Sequence, residues 1–416
     1  MFDARTVHSD ALANGLRVIV AEEADASVVA AELVVKAGVA DERPAESGAA
    51  HLLEHALWAY GGPGDPRAAL EEVGGVTNAG TRRDFTHYYA TVPAGRGAAE
   101  LAVRALARMV LRDHLEESVV VREKKVVRDE VAERSASLPL LLDDLAFRTV
   151  YGEDHPYGRP LEGEESSFEA LDATALEVFH RTWYVPNNMA VVLVGRVTLA
   201  EATAAVQQAF GALPRAPVPS HALPVPPRPA PSREVRVGVD AKQAYLMAAF
   251  VGPAITEPAD VCATDALTVL LSEATCGRLY RRLLGTPAVA HSMGVDFLTQ
   301  KGRALLGIWI ACEPSKVEAV RRALREELSR LAAEPVSPQE LAAVKRLTVA
   351  AYAFSNETPS GRTSTLAFYE ALGNYREAGQ YPWRVRALRA ADVTRVAAWY
   401  AGEPTWIVVA PQEKGT

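Results

Sequence analysis

The chain has little of what would commit it to a specialised scaffold. Three cysteines (Cys262, Cys276, Cys312) in 416 residues are too few for a disulfide framework, and none stands in Cys-x-x-Cys spacing. They read as small buried hydrophobes. A basic surplus is also missing. The 44 Lys and Arg face 52 Asp and Glu, a net charge of −8, which argues against a nucleic-acid partner. No apolar run approaches the ~20 residues that cross a bilayer; the longest, Ala244–Val251, is strand-sized, so no membrane association is expected. The opening Met-Phe-Asp-Ala-Arg-Thr lacks the basic-then-apolar layout of a signal peptide. The chain as given is therefore expected in the cytoplasm, or in the periplasm if a leader was removed. What is present is a globular composition, 49 % hydrophobic and 23 % charged. The length suits two domains better than one core.

One stretch breaks this pattern. Pro214, Pro217, Pro219, Pro224, Pro226, Pro227, Pro229 and Pro231 crowd into 18 residues. Prolines at that density cannot continue a helix or a central strand and favour extended chain. The expected division is therefore an N-terminal domain over 1–213, a linker over 214–232 and a C-terminal domain over 233–416.

The halves look alike in outline. In the first, β-branched runs predict strands over 15–20, 28–35, 88–92 and 189–194. Helices are expected near 47–60, 66–73, 95–112 and 116–134. In the second, strands are expected over 245–251, 292–298, 305–310 and 405–409, with helices near 259–274, 314–332 and 338–354. Strands first and helices later, twice over, predicts an α+β fold of two related domains, each a mainly antiparallel sheet with helices packed on it.

The chemistry concentrates in Glu46-Ser-Gly-Ala-Ala-His51-Leu-Leu-Glu54-His55-Ala-Leu-Trp58. Ser47 is a good N-cap candidate for the apolar run that follows. On a helix, His51 and His55 project from one face, where two imidazoles can share a metal ion. Glu54 lies beside that face, within reach of a metal-bound water rather than the metal. A catalytic zinc site usually takes a third protein ligand and leaves one position open. The helix 116–134 offers Glu123, Glu130 and Glu133, and spacing alone does not choose among them. Glu123 and Glu130, seven apart, share a face.

His-x-x-Glu-His, the inverse of the commoner zinc-protease order, is accompanied by further motifs. Glu130 stands 75 positions beyond His55 in Arg-Glu-Lys-Lys-Val-Val-Arg-Asp-Glu-Val. Gly74-Gly-Val-Thr-Asn78-Ala79, His155-Pro-Tyr-Gly-Arg-Pro160 and Tyr184-Val-Pro-Asn-Asn-Met follow, and Gly277-Arg-Leu-Tyr lies in the second half. In this combination the chain resembles the inverzincin metallopeptidases, the pitrilysin or M16 family, and within it the shorter bacterial and mitochondrial-processing-peptidase-like group. The resemblance covers essentially the whole chain. It implies the LuxS/MPP-like metallohydrolase fold and a zinc endopeptidase acting on unfolded peptides. It further implies one zinc ion per chain held by His51, His55 and Glu130, with Glu54 as general base. Glu123 matches a supporting carboxylate behind the ligands. Asn78 and Ala79 match a segment that pairs with substrate as an added strand. His87 and His155 fall outside the ligand set.

The likeness fails at one place. Active members carry an Arg and a Tyr, seven residues apart, in a C-terminal domain, where they hold the substrate backbone. The corresponding positions here are Leu284 and His291, and a leucine cannot build an electrostatic clamp. The expected partner is a homologous metal-free subunit supplying Arg and Tyr, with a homodimer as the alternative. The competing function is a non-catalytic structural or assembly subunit of the same fold, in which the metal motif is typically degraded.

Overall fold

A computed structural model describes residues 7–59, 65–112, 114–220, 222–226 and 233–412. In chain order they form β1 (Val7–Ala11), β2 (Arg17–Glu22), β3 (Val28–Val35), α1 (Ala49–Trp58), α2 (Pro66–Glu71), β4 (Val76–Thr81), β5 (Thr86–Pro93) and α3 (Ala98–Val110). Next come α4 (Glu117–Ala136), α5 (Leu138–Tyr151), α6 (Glu165–Ala170), α7 (Ala173–Trp183), β6 (Met189–Gly195) and α8 (Leu199–Phe210). The second half forms β7 (Glu234–Val239), β8 (Ala244–Val251), α9 (Pro258–Ser272), α10 (Arg278–Leu284), β9 (Ser292–Phe297) and β10 (Leu305–Cys312). It closes with α11 (Val317–Ala333), α12 (Pro338–Ser355), α13 (Pro359–Leu372), α14 (Arg376–Ala387), α15 (Ala390–Trp399) and β11 (Thr405–Pro411). Of the proline-rich stretch, 214–220 and 222–226 form neither helix nor strand. Residues 221 and 227–232 lie outside the described residues, as does Tyr60 at the expected end of the motif helix.

Two sheets carry the fold. Among the described residues the first runs β1-β2-β6-β3-β5-β4 and the second β7-β11-β8-β10-β9. In the first, β2 and β6 are parallel and the other neighbours antiparallel. In the second, β7 and β11 are parallel and the rest antiparallel. Strands β2-β6-β3-β5-β4 and β7-β11-β8-β10-β9 thus repeat one order, one connectivity and one pattern of directions. The expected α+β class with two related, mainly antiparallel sheets holds.

The sequence explains why the central strands sit inside. Val-Val-Ala-Ala-Glu-Leu-Val-Val of β3 is apolar on both faces, save for Glu32, and all but its first residue is buried. One face of the first sheet meets α1, α3, α7 and α8 in a core that includes Leu33, Leu52, Leu53, Leu106 and Phe179. A second core gathers Leu246, Leu267, Ile308, Leu324 and Val408.

The compact units do not follow chain order. The first comprises Met1–Glu130, Arg159–Ala222 and Ala353–Gln380, and the second Val131–Gly158, Leu223–Tyr352 and Tyr381–Thr416. So α5, from the first half of the chain, packs on β8, β10 and β11, while α13, from the second half, packs on β3 and β6. Each sheet has a second apolar face to cover, and in each case a helix from the other half covers it. Helix α13 is fixed by polar contacts as well. Its buried Glu370 pairs with Lys36 at 2.7 Å and Arg17 at 3.0 Å. Its Ser364 donates to Glu32 at 2.9 Å, and Ser360 meets Thr91 at 3.0 Å.

Candidate metal centre

Helix α1 is entered through a left-handed glycine. Gly48 has φ +97°, and a Cβ there would lie 2.6 Å from the Glu162 carbonyl oxygen, so only glycine fits. Ser47 is not the N-cap; its hydroxyl accepts instead from the Glu164 N–H at 3.1 Å. The helix start is satisfied from a distance by Glu42, whose carboxylate accepts from the N–H groups of Gly48 (2.9 Å) and Ala50 (2.8 Å). Burial pushes Glu42 up to about 8, against the pull of those two N–H groups and of Arg159. Leu52, Leu53, Ala56 and Leu57 bury one side of α1. That leaves His51 and His55 on the opposite, partly open side.

The two imidazoles converge. His51 Nε2 and His55 Nε2 are 3.2 Å apart. Glu130 Oε2, from α4, lies 3.5 Å from the first and 3.4 Å from the second. Among the described residues this trio forms a group of donors able to hold a metal ion. Its three edges match the ~3.3 Å edge of a tetrahedron whose arms are the 2.0–2.1 Å of zinc bonds to nitrogen and oxygen. The donor set, two imidazoles and a carboxylate with one side open, is also zinc chemistry. The residues therefore fit the ion.

Glu123, one α4 face with Glu130, is buried. Its Oε2 lies 3.6 Å from His55 Nδ1, and its Oε1 accepts from Arg122 Nε at 2.9 Å. A carboxylate behind a ligating histidine orients the ring and fixes its tautomer. Glu133, the third carboxylate on α4, is exposed and stands outside the group.

Glu54 is buried beside the trio. Burial pushes its carboxyl up to about 7, the Glu130 charge adds to the rise, and the Thr81 hydroxyl opposes it. Thr81 Oγ1 donates to Glu54 Oε2 at 3.3 Å. Behind this pair, Tyr88 and Tyr184 share a buried hydroxyl contact of 2.9 Å, and burial raises both phenols. Sequence reasoning missed Glu42, Thr81 and the tyrosine pair. Only Thr81 carried a readable signal, since it follows Ala79 by two and so shares its strand face.

Asn78 and Ala79 lie on β4, which among the described residues is one of the two edge strands of the first sheet. The Ala79 N–H donates to Asn78 Oδ1 at 2.9 Å. His87 pairs with Glu32 at 2.8 Å and His155, in the second unit, meets the Pro224 carbonyl at 2.9 Å; neither joins the trio. In the second unit, α9 follows β8 as α1 follows β3, but it carries no histidine. Leu284 ends α10, and His291 is exposed just before β9.

Comparison with known proteins matches this architecture. The family model described as Insulinase (Peptidase family M16) matches residues 17–165, and that described as Peptidase M16 inactive domain matches 170–348. An uncharacterized zinc protease of Mycobacterium leprae (strain TN) is 30 % identical over 340 residues, 79 % of this chain and 74 % of its own. Among solved structures, a protease from Helicobacter pylori superposes with a TM-score of 0.85 at 22 % identity, over 97 % of this chain and 98 % of its own. The peptidase M16 inactive domain from Pseudomonas fluorescens superposes with a TM-score of 0.86 at 18 % identity, over 99 % of both chains. These two likenesses are of fold. The chain belongs to the M16 peptidase family, among relatives named zinc proteases. No helix among the described residues is long and apolar enough to cross a membrane.

Proposed function

We propose that the chain is a zinc-dependent endopeptidase subunit that hydrolyses peptide bonds of unfolded peptides. The observation that carries this reading is the near-equilateral triangle of His51 Nε2, His55 Nε2 and Glu130 Oε2, with the Glu54 carboxylate beside it. His51, His55 and Glu130 would hold the ion, and Glu123 would orient His55 through Nδ1. When bound, zinc supplies Lewis acidity toward water and toward a carbonyl group. Thr81 occupies Oε2 of Glu54 and so directs Oε1 to take the proton of the attacking water and to pass it to the departing amine. The β4 edge, at Asn78 and Ala79, would receive the substrate as an added strand, a recognition that depends little on side chains.

Leu284 and His291 support a divided enzyme. This chain would supply the metal half, and a homologous metal-free subunit the Arg and Tyr that hold the substrate backbone. The test is reconstitution. Peptide cleavage should rise when a related chain bearing that Arg and Tyr is added, and Glu54→Gln should abolish it with zinc retained. Cleavage by the isolated chain that no partner raises would contradict the division. Cleavage surviving Glu54→Gln would contradict the mechanism.

A further inference from the structure

His87 takes no part in the metal trio, yet it is held with care. Its Nδ1 lies 2.8 Å from Oε1 of Glu32, which is only 2 % exposed, and the other oxygen of Glu32 accepts from Ser364. A buried carboxylate against Nδ1 keeps the proton there and leaves Nε2 as the acceptor. Nε2 carries no hydrogen bond among the described residues. The ring leans outward across β4. His87 pairs with Gly80 in the sheet, and a Cβ built on Gly80 would meet His87 Nε2 at 2.9 Å. Gly80 therefore leaves the space through which the imidazole reaches the open edge of the sheet. This happens on the α13 face of the sheet, opposite to the face that meets α1.

We infer that His87, backed by Glu32, selects the substrate side chain that lies opposite Gly80, favouring lysine or arginine. The inference rests on the proposed addition of substrate to β4. A residue facing Gly80 on an added strand has its Cβ about 4.5–5.5 Å from the Gly80 Cβ position. His87 Nε2 is then roughly 5–7 Å from that Cβ. Serine and threonine are too short to bridge this gap, whereas lysine, arginine and glutamine reach it and donate. The Glu32 carboxylate behind the ring favours the cationic pair over glutamine and disfavours glutamate.

The experiment uses the full zinc-loaded chain carrying Glu54→Gln, paired with the related chain that bears the Arg and Tyr, so that peptides bind without turnover. Fluorescent ten-residue peptides, each with one Lys, Gln, Leu or Glu moved through every position, are titrated at pH 8.5. One register should bind the Lys peptide on the order of tenfold more tightly than the Leu peptide, with Gln between and Glu weakest. His87→Ala should bring the Lys and Leu peptides within about twofold. Gly80→Ala, which drives the ring from its place, should do the same, while the zinc content of both variants stays near that of the parent. A Lys preference unchanged in both variants, or binding without any positional preference, overturns the inference alone. Failure of every peptide to bind removes the strand-addition reading and the inference with it.

Discussion

Thr81 Oγ1 lies 3.3 Å from Glu54 Oε2, so a single hydroxyl ties the edge strand β4 to the acid of the metal motif. The strand that would present substrate and the group that would move its proton are held in one register. Replacing Thr81 by valine keeps the shape and deletes the donor. We expect kcat to fall by roughly tenfold, the effect of one lost hydrogen bond to a charged group, with KM and zinc content unchanged. Thr81→Ser should restore most of the loss. A rise in KM at constant kcat would assign Thr81 to substrate binding instead.

Among the described residues, Glu123 meets the metal trio through His55 Nδ1, at 3.6 Å. Glu123→Gln should weaken zinc by about 10–100-fold without removing a ligand, as carboxylates behind metal-binding histidines do. Competition with a chromophoric chelator measures this. Unchanged affinity would leave Glu123 as no more than the partner of Arg122.

Two carboxyls should give the pH–stability curve opposite slopes. The Arg278 guanidinium, paired with Glu340 at 2.8 Å, holds the Glu340 carboxyl down to about 2, with Ser337 assisting. Its folded pKa is below the unfolded value, so its contribution is complete above about 4.5 and is lost as pH falls toward 2. Glu340→Gln should therefore lower the melting temperature at pH 7 and have little effect near pH 2. Burial pushes Asp265 up to about 7, against the hydrogen bond from Tyr381. Here the native state holds the extra proton, so the carboxyl costs stability increasingly as pH rises from about 4 to 7. Asp265→Asn should raise the melting temperature at pH 8 and change it little at pH 4.

The anchoring of α13 predicts a measurable loss. Glu370 is buried, but Lys36 and Arg17 keep part of their surface in water. Glu370→Ala should cost about 2 kcal/mol in urea denaturation, below the 3–5 kcal/mol of a fully buried pair. A loss within 0.5 kcal/mol, the usual range for exposed sites, would mean that apolar contacts alone hold α13.

Much of this was legible in the sequence, and for physical reasons. The strands over 28–35 and 189–194 are rich in β-branched residues and apolar on both faces save for Glu32, a pattern that points to a buried sheet. His51, Glu54 and His55 share one helix, so their geometry follows from the helical repeat alone. Helical spacing alone did not choose among Glu123, Glu130 and Glu133; the family resemblance pointed to Glu130, and Glu130 is the one whose carboxylate lies beside both histidines. Strand β4 was hidden by Gly74, Gly75, Asn78 and Gly80, residues that favour turns, and it is a strand because β5 pairs with it. Ser47 looked like a cap, but Glu42, five residues earlier, performs that task. The exchange of α5 and α13 between the two sheets has no local signature, since either helix could cover an apolar face.

The central claim is that His51, His55 and Glu130 bind zinc while Glu54 does not. Elemental analysis of the purified full-length chain and three variants, each dialysed against buffered zinc, tests it directly. The account predicts about one zinc per chain in the parent and in Glu54→Gln, and strong depletion in His51→Ala and Glu130→Gln. A parent chain without zinc, or a Glu130→Gln chain that retains it fully, would contradict the account.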